Sequence, residues 1–290
     1  MESNVTNMSK KKVFAIVALL LGIGLMVYAG GQLLTTRQTY QEGVEAYGNL
    51  RDLAREFATS PQTQSQTPRE SSPDYPGAPL ARESEGLTSE NPEQAYIPAS
   101  GISFERLREI NNDAVAWLYS PNTVIDYPVM RASNYSYYLN HLPDGTRNSN
   151  GSLFIDYNNA SDLSERLMVI YGHHMKSGSM FGSLSGYKKQ KYYEQHPVMY
   201  LYTERNEYRI DIAYGCLIEA GQWKELAFMY EENVDALISY AEKNTTFKSS
   251  VKFEEGDKVV VFSTCSYEFD DARYVVIGLL KSSGYSSEGI

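Results

Sequence analysis

Val259-Val260-Val261-Phe262-Ser263-Thr264-Cys265 decides how the rest of the chain is read. It is a strongly apolar strand that runs out into a polar turn. Cys265 stands at its end, where a substrate can reach a thiol, whereas a cysteine in mid-strand is usually closed off. Outward from 258–263, six further runs read as strands: 124–130, 151–157, 167–171, 198–203, 208–220 and 272–281. Turn residues such as Pro121-Asn122, Asp144-Gly145 and Glu255-Gly256-Asp257 separate them. Ser103 is placed to cap a short helix on which Phe104, Leu107 and Ile110 share a face. A second helix, 231–243, carries Val234, Leu237, Ile238 and Ala241 on one stripe. Seven strands with a helix or two imply a small closed or half-closed β-barrel.

Composition narrows the function classes. With 42% hydrophobic and 21% charged residues, most of the 290-residue chain can bury a core, which excludes a wholly disordered or fibrous protein. The 26 Lys+Arg against 36 Asp+Glu leave a net charge of −10, which argues against a basic nucleic-acid-binding domain. Two cysteines, Cys216 and Cys265, are too few for a disulfide scaffold or a four-thiolate zinc site.

Only one apolar run is long enough to cross a bilayer. Lys10, Lys11 and Lys12 precede residues 13–31, which rise about 28 Å as a helix. The flanking lysines predict a cytoplasmic N-terminus (1–12) and an exported remainder. The run exceeds the roughly 7–15 residues of a signal-peptide core, so an uncleaved anchor is expected, although Val27-Tyr28-Ala29 is a passable cleavage site. Residues 32–60 read as an amphipathic helix, with Tyr40, Val44, Tyr47, Leu50, Leu53 and Phe57 recurring at threes and fours. Residues 61–100 hold seven of the eleven prolines among Ser, Thr, Gln and Glu, and read as a disordered linker. A single folded domain over 101–285 is then tethered to a membrane yet free to range outward.

Cys265 needs an imidazole or cation nearby if it is to act as a thiolate at neutral pH. Among four histidines, His141 and His196 lie in polar loops, whereas His173 and His174 follow the 167–171 strand and a Gly172 that permits a sharp turn. A histidine past one strand end and a cysteine past another can meet at a barrel rim. The His-His pair also suggests a metal, but no Asp, Glu or further His stands at ligand spacing, so no metal or cofactor is expected. A hairpin would set Arg273 opposite Cys265, for a substrate carbonyl or for an ion pair with Asp270 or Asp271. Cys216 reads as a small buried hydrophobe, with a Cys216–Cys265 disulfide as the alternative.

Several of these residues together resemble the class B sortases. The matching blocks are Tyr171-Gly172-His173-His174-Met175 with Ser179-Met180-Phe181-Gly182, and Ser263-Thr264-Cys265 followed by Glu268-Phe269-Asp270-Asp271-Ala272-Arg273. Upstream, 122–129, Tyr138-Leu139-Asn140-His141 and 151–157 follow in the same order. The family pattern before the cysteine is Thr-Leu-any-Thr-Cys, and Val261-Phe262-Ser263-Thr264-Cys265 departs from it in a way that concerns pocket shape.

The resemblance implies a mostly β fold: a closed barrel of about eight strands, N-terminal helices, a helix before the cysteine strand and one preceding transmembrane helix. It implies a cysteine transpeptidase. Cys265 would attack the carbonyl after the threonine of a C-terminal sorting signal, with His173 as acid and base and Arg273 on the oxyanion. Ser263, Thr264 and the backbone of Ser266 would complete the pocket. Implied partners are surface proteins bearing the signal, a peptidoglycan-precursor amine and, through 13–31, the cell membrane, with the catalytic domain extracellular. Glu268, Asp270 and Asp271 are candidates for attracting the acceptor amine, or form a solvated turn. A pilin polymerase, a plain cysteine peptidase and a tethered binding module with a structural Cys265 are the rival readings.

Overall fold

A computed structural model describes residues 10–55, 101–131, 133–160, 162–227, 233–265 and 271–286. The expected linker, 61–100, lies outside the described residues. Helix α1 (Lys10–Arg55) leads to the short α2 (Phe104–Ile110), whose N-cap Ser103 accepts a hydrogen bond from the Arg106 amide as expected. Eight strands follow: β1 (Ala114–Tyr119), β2 (Asp126–Met130), β3 (Leu153–Ile155), β4 (Leu167–Tyr171), β5 (Val198–Tyr202), β6 (Asn206–Glu219), β7 (Lys258–Cys265) and β8 (Ala272–Ser286). A 3-10 helix (Gly182–Lys188) and α3 (Gln190–Gln195) fill the β4–β5 connection, while α4 (Ala220–Ala227) and α5 (Val234–Asn244) lie between β6 and β7. The strands close in the order β1-β2-β3-β4-β7-β8-β6-β5, and β5 returns to β1. This is the mostly β, eight-stranded barrel with helices that the sequence led us to expect.

Alternate residues of the central strands serve two cores. Val260 and Phe262 of β7, Met168 and Ile170 of β4, and Tyr274 and Val276 of β8 belong to the barrel interior. Val259 and Val261, Leu167 and Val169, and Val275 and Ile277 belong to the outer face, where Val234, Leu237 and Ala241 of α5 cover them. Burial on both faces explains why β7 is a continuous apolar run rather than an alternating one.

α1 departs from expectation. The expected membrane helix (13–31) and amphipathic helix (32–60) are one unbroken element to Arg55. Folding does not begin at residue 101 either, because Tyr47 is buried in the main core and Leu50 and Ala54 pack with Phe104, Leu107 and Trp117. Arg55 pairs with Asp126 at 2.7 Å, and the Ser103 amide donates to the Ala54 carbonyl at 2.9 Å. Of the apolar residues that recur at threes and fours, Tyr47 and Leu50 find buried partners in the domain, Val44 is exposed, and Phe57 with the rest of 56–60 lies outside the described residues. The domain is thus fixed to this helix, in contrast to the free tether expected from sequence.

Candidate active site

Strand register builds the site. β4 and β7 run parallel with Tyr171 beside Ser263, and the Gly172 amide continues the ladder to the Ser263 carbonyl at 3.2 Å. Two residues further on, His173 and Cys265 come to the same height on neighbouring strand ends, about 4.8 Å apart between strands. β7 and β8 run antiparallel with Arg273 directly opposite Cys265. The period of two carries all three side chains to the outer face, the side of Val261 and Val275. They line one cleft of about 600 Å³ with Tyr135, Leu139, Phe154, Tyr171, Ala220, Trp223, Ser263 and Thr264.

Each group is held individually. Cys265 is exposed and free. His173 Nε2 lies 2.6 Å from the Leu139 carbonyl, which can only accept, so the proton sits on Nε2 and Nδ1 is left for proton exchange. His174 Nδ1 donates to the carbonyl of Cys265 at 2.8 Å, which ties that imidazole to the strand backbone and leaves His173 as the histidine lining the cleft. Arg273 Nη1 donates to the Ala272 carbonyl at 3.3 Å, and among the described residues it forms no ion pair. Ser263 Oγ and Thr264 Oγ1 are buried and have no hydrogen-bond partner among the described residues. A thiol, an imidazole and a guanidinium around one apolar cleft can carry out acyl transfer through a covalent intermediate.

No family model matches the chain. Sortase B of Listeria monocytogenes is 29% identical over 178 residues, which cover 60% of this chain and 72% of that protein. Sortase B of Staphylococcus aureus is 26% identical over the same length and coverage. The crystal structure of Staphylococcus aureus sortase B shares the fold at a TM-score of 0.57 and 25% identity, over 62% of this chain and 86% of that one. Clostridium perfringens sortase B gives the same TM-score and identity, over 62% of this chain and 100% of that one.

In sequence and in fold the chain is similar to the class B sortases.

Class B sortases are cysteine transpeptidases, and this likeness sets aside the reading of a non-catalytic binding module. The alternative Cys216–Cys265 disulfide is also overturned, since both thiols are free. β8 lies between the strands that carry them, which places the two backbones about 10 Å apart, beyond the roughly 7 Å limit for a bridge. Burial pushes the Cys216 thiol up to about 12. Among the remaining expected site residues, Ser266, Glu268 and Asp270 lie outside the described residues. Asp271 is exposed, and its carbonyl accepts the Ala220 amide at 3.1 Å.

The expected role of Gly172 as a sharp turn is corrected. Its φ is not left-handed, and the position needs glycine because a Cβ would stand 2.5 Å from Leu153 Cδ2 and 2.6 Å from Phe181 Cδ2. The cleft also has aromatic walls that sequence reasoning missed. Tyr135 donates to both carboxylate oxygens of buried Asp156 at 3.0 Å, and Tyr171 donates to Oδ2 of the same group at 3.0 Å. Trp223 comes from α4. The abundance of tyrosine, 24 residues against 10 phenylalanines, was the available signal, but it does not say which rings face the cleft.

Proposed function

We propose that this sortase cleaves a C-terminal sorting signal of exported proteins after threonine and passes the acyl group to a cell-wall peptide amine. The observation that carries the reading is that Cys265, His173 and Arg273 stand at the ends of three adjacent strands and line one cleft. Cys265 Sγ attacks the threonine carbonyl carbon, and the C–N bond breaks as His173 gives its proton to the leaving amine. Arg273 binds the carbonyl oxygen while its charge develops, alongside the hydroxyls of Ser263 and Thr264 and the Ser266 amide. An incoming amine then attacks the thioacyl carbon, yields a proton to His173 and releases Cys265 as the C–S bond breaks.

Residues 13–31 would cross the membrane, with 1–12 in the cytoplasm and the barrel outside. Support comes from one helix apolar and long enough to span, with lysines at its start. Glu268, Asp270 and Asp271 would draw the cationic acceptor toward Cys265. A peptide-library cleavage assay on the full-length chain with a panel of amines tests the proposal. Cleavage after threonine, amine-dependent release and loss of both in Cys265→Ala are expected. Cleavage that survives Cys265→Ala overturns it. Release by water alone, insensitive to every amine, reduces the protein to a peptidase.

A further inference from the structure

The last turns of α1 touch both segments that hold His173. The carbonyls of Thr39 and Tyr40 accept the side-chain amides of Asn148 at 2.8 Å and Asn150 at 3.2 Å. The Tyr47 hydroxyl donates to the Gly151 carbonyl at 2.6 Å and lies 3.2 Å from Ser152 Oγ. On the other side, the Tyr40 hydroxyl is 3.1 Å from Ser179 Oγ, in the loop that follows His173.

Segment 148–152 is laced to segment 138–141. The Asn148 amide donates to the Asn140 carbonyl at 2.9 Å, the Ser152 amide to the Tyr138 carbonyl at 2.8 Å, and Ser152 Oγ to the His141 carbonyl at 2.9 Å. Leu139, whose carbonyl holds His173, lies inside that second segment. Gly151 is wedged at the junction with φ +58°. A Cβ there would meet the Tyr138 and Leu139 carbonyl oxygens at 2.6 and 2.7 Å and His173 Cδ2 at 3.0 Å. The Tyr47 hydroxyl therefore holds the Gly151 carbonyl, and the Gly151 backbone sits against the imidazole and the carbonyl that orients it with no room for a side chain.

We infer that α1 belongs to the catalytic apparatus, with Tyr47 as a positioning residue that fixes Gly151 and hence His173 relative to Cys265. The inference rests on the proposed acid and base role of His173. Burial raises the Tyr47 hydroxyl well above its ordinary range, so it remains a donor throughout the working pH range. It shares the buried site with the Tyr127 ring, edge-on at 5.1 Å.

The test uses the full-length chain in detergent micelles, a peptide taken from the library screen and iodoacetamide as a probe of the Cys265 thiol. Tyr47→Phe keeps the ring and removes only the hydroxyl. Its kcat is expected to fall about tenfold with KM unchanged. The pH profile of Cys265 alkylation is expected to move toward that of His173→Ala. A parental kcat in Tyr47→Phe, or a lowered kcat with a parental alkylation profile, overturns the inference, since the latter would mark a merely structural role. Parental cleavage by His173→Ala would instead overturn the acid and base reading itself, so the two failures are told apart.

Discussion

Gly172→Ala is the sharpest single perturbation of the strand that carries His173. The missing Cβ faces inward, toward Leu153 and Phe181, both fully buried. Carbon atoms settle about 3.5–4.0 Å apart, so contacts of 2.5 and 2.6 Å require about 1 Å of movement. Phe181 has little room to supply it, because its ring stands edge-on to Phe262 at 5.8 Å in the barrel interior. Overpacking of this kind costs about 1–3 kcal/mol, which lowers Tm by about 2–12 °C in a domain of this size. If the strand end takes half of the displacement, His173 shifts by about 0.5 Å. A shift of 1 Å costs about 100-fold in rate, so about tenfold in kcat/KM is expected. Thermal melting and steady-state cleavage of the same preparation read both quantities. A lowered Tm with a parental kcat/KM would refute the reasoning, because the strain would then be absorbed away from His173.

Two further predictions follow from titration. At pH 7–8 iodoacetamide should modify one thiol per native chain and two after denaturation, because burial holds Cys216 protonated with its pKa pushed up to about 12; mass spectrometry of native and unfolded protein checks this. His196 has its pKa lowered by burial, partly offset by its hydrogen bond to the Pro121 carbonyl at 3.2 Å, so the unfolded chain takes the proton first as pH falls. Stability should therefore decline as pH drops below about 6.5 and level off beneath the folded value, and His196→Asn should flatten that part of the melting profile.

The site was legible where the signal was local. The apolar run ending in Cys265, the strand before His173 and the loop ahead of Arg273 each give a strand end. The β7–β8 hairpin then sets Arg273 against Cys265 with no further information. β1 was missed because Ala114-Val115-Ala116-Trp117-Leu118-Tyr119 is buried on both faces and carries no alternation, and because it follows α2 almost directly. The aromatic wall was not legible either. Tyr135 and Tyr171 are brought together by Asp156, through bonds that span 21 and 15 residues. The docking of α1 was the least accessible of all. Tyr47 and Gly151 are 104 residues apart, and the Pro-rich composition between them suggests separation rather than contact.

That docking has a geometric consequence if residues 13–31 cross the bilayer as proposed. From Gly31 to Tyr47 the helix rises about 24 Å without interruption, so the barrel stands on a stiff post rather than a leash. Height above the lipid and the direction in which the cleft opens are then set together. On the proposed topology the post would act as a ruler, reaching only those substrate segments that lie at one fixed height above the lipid.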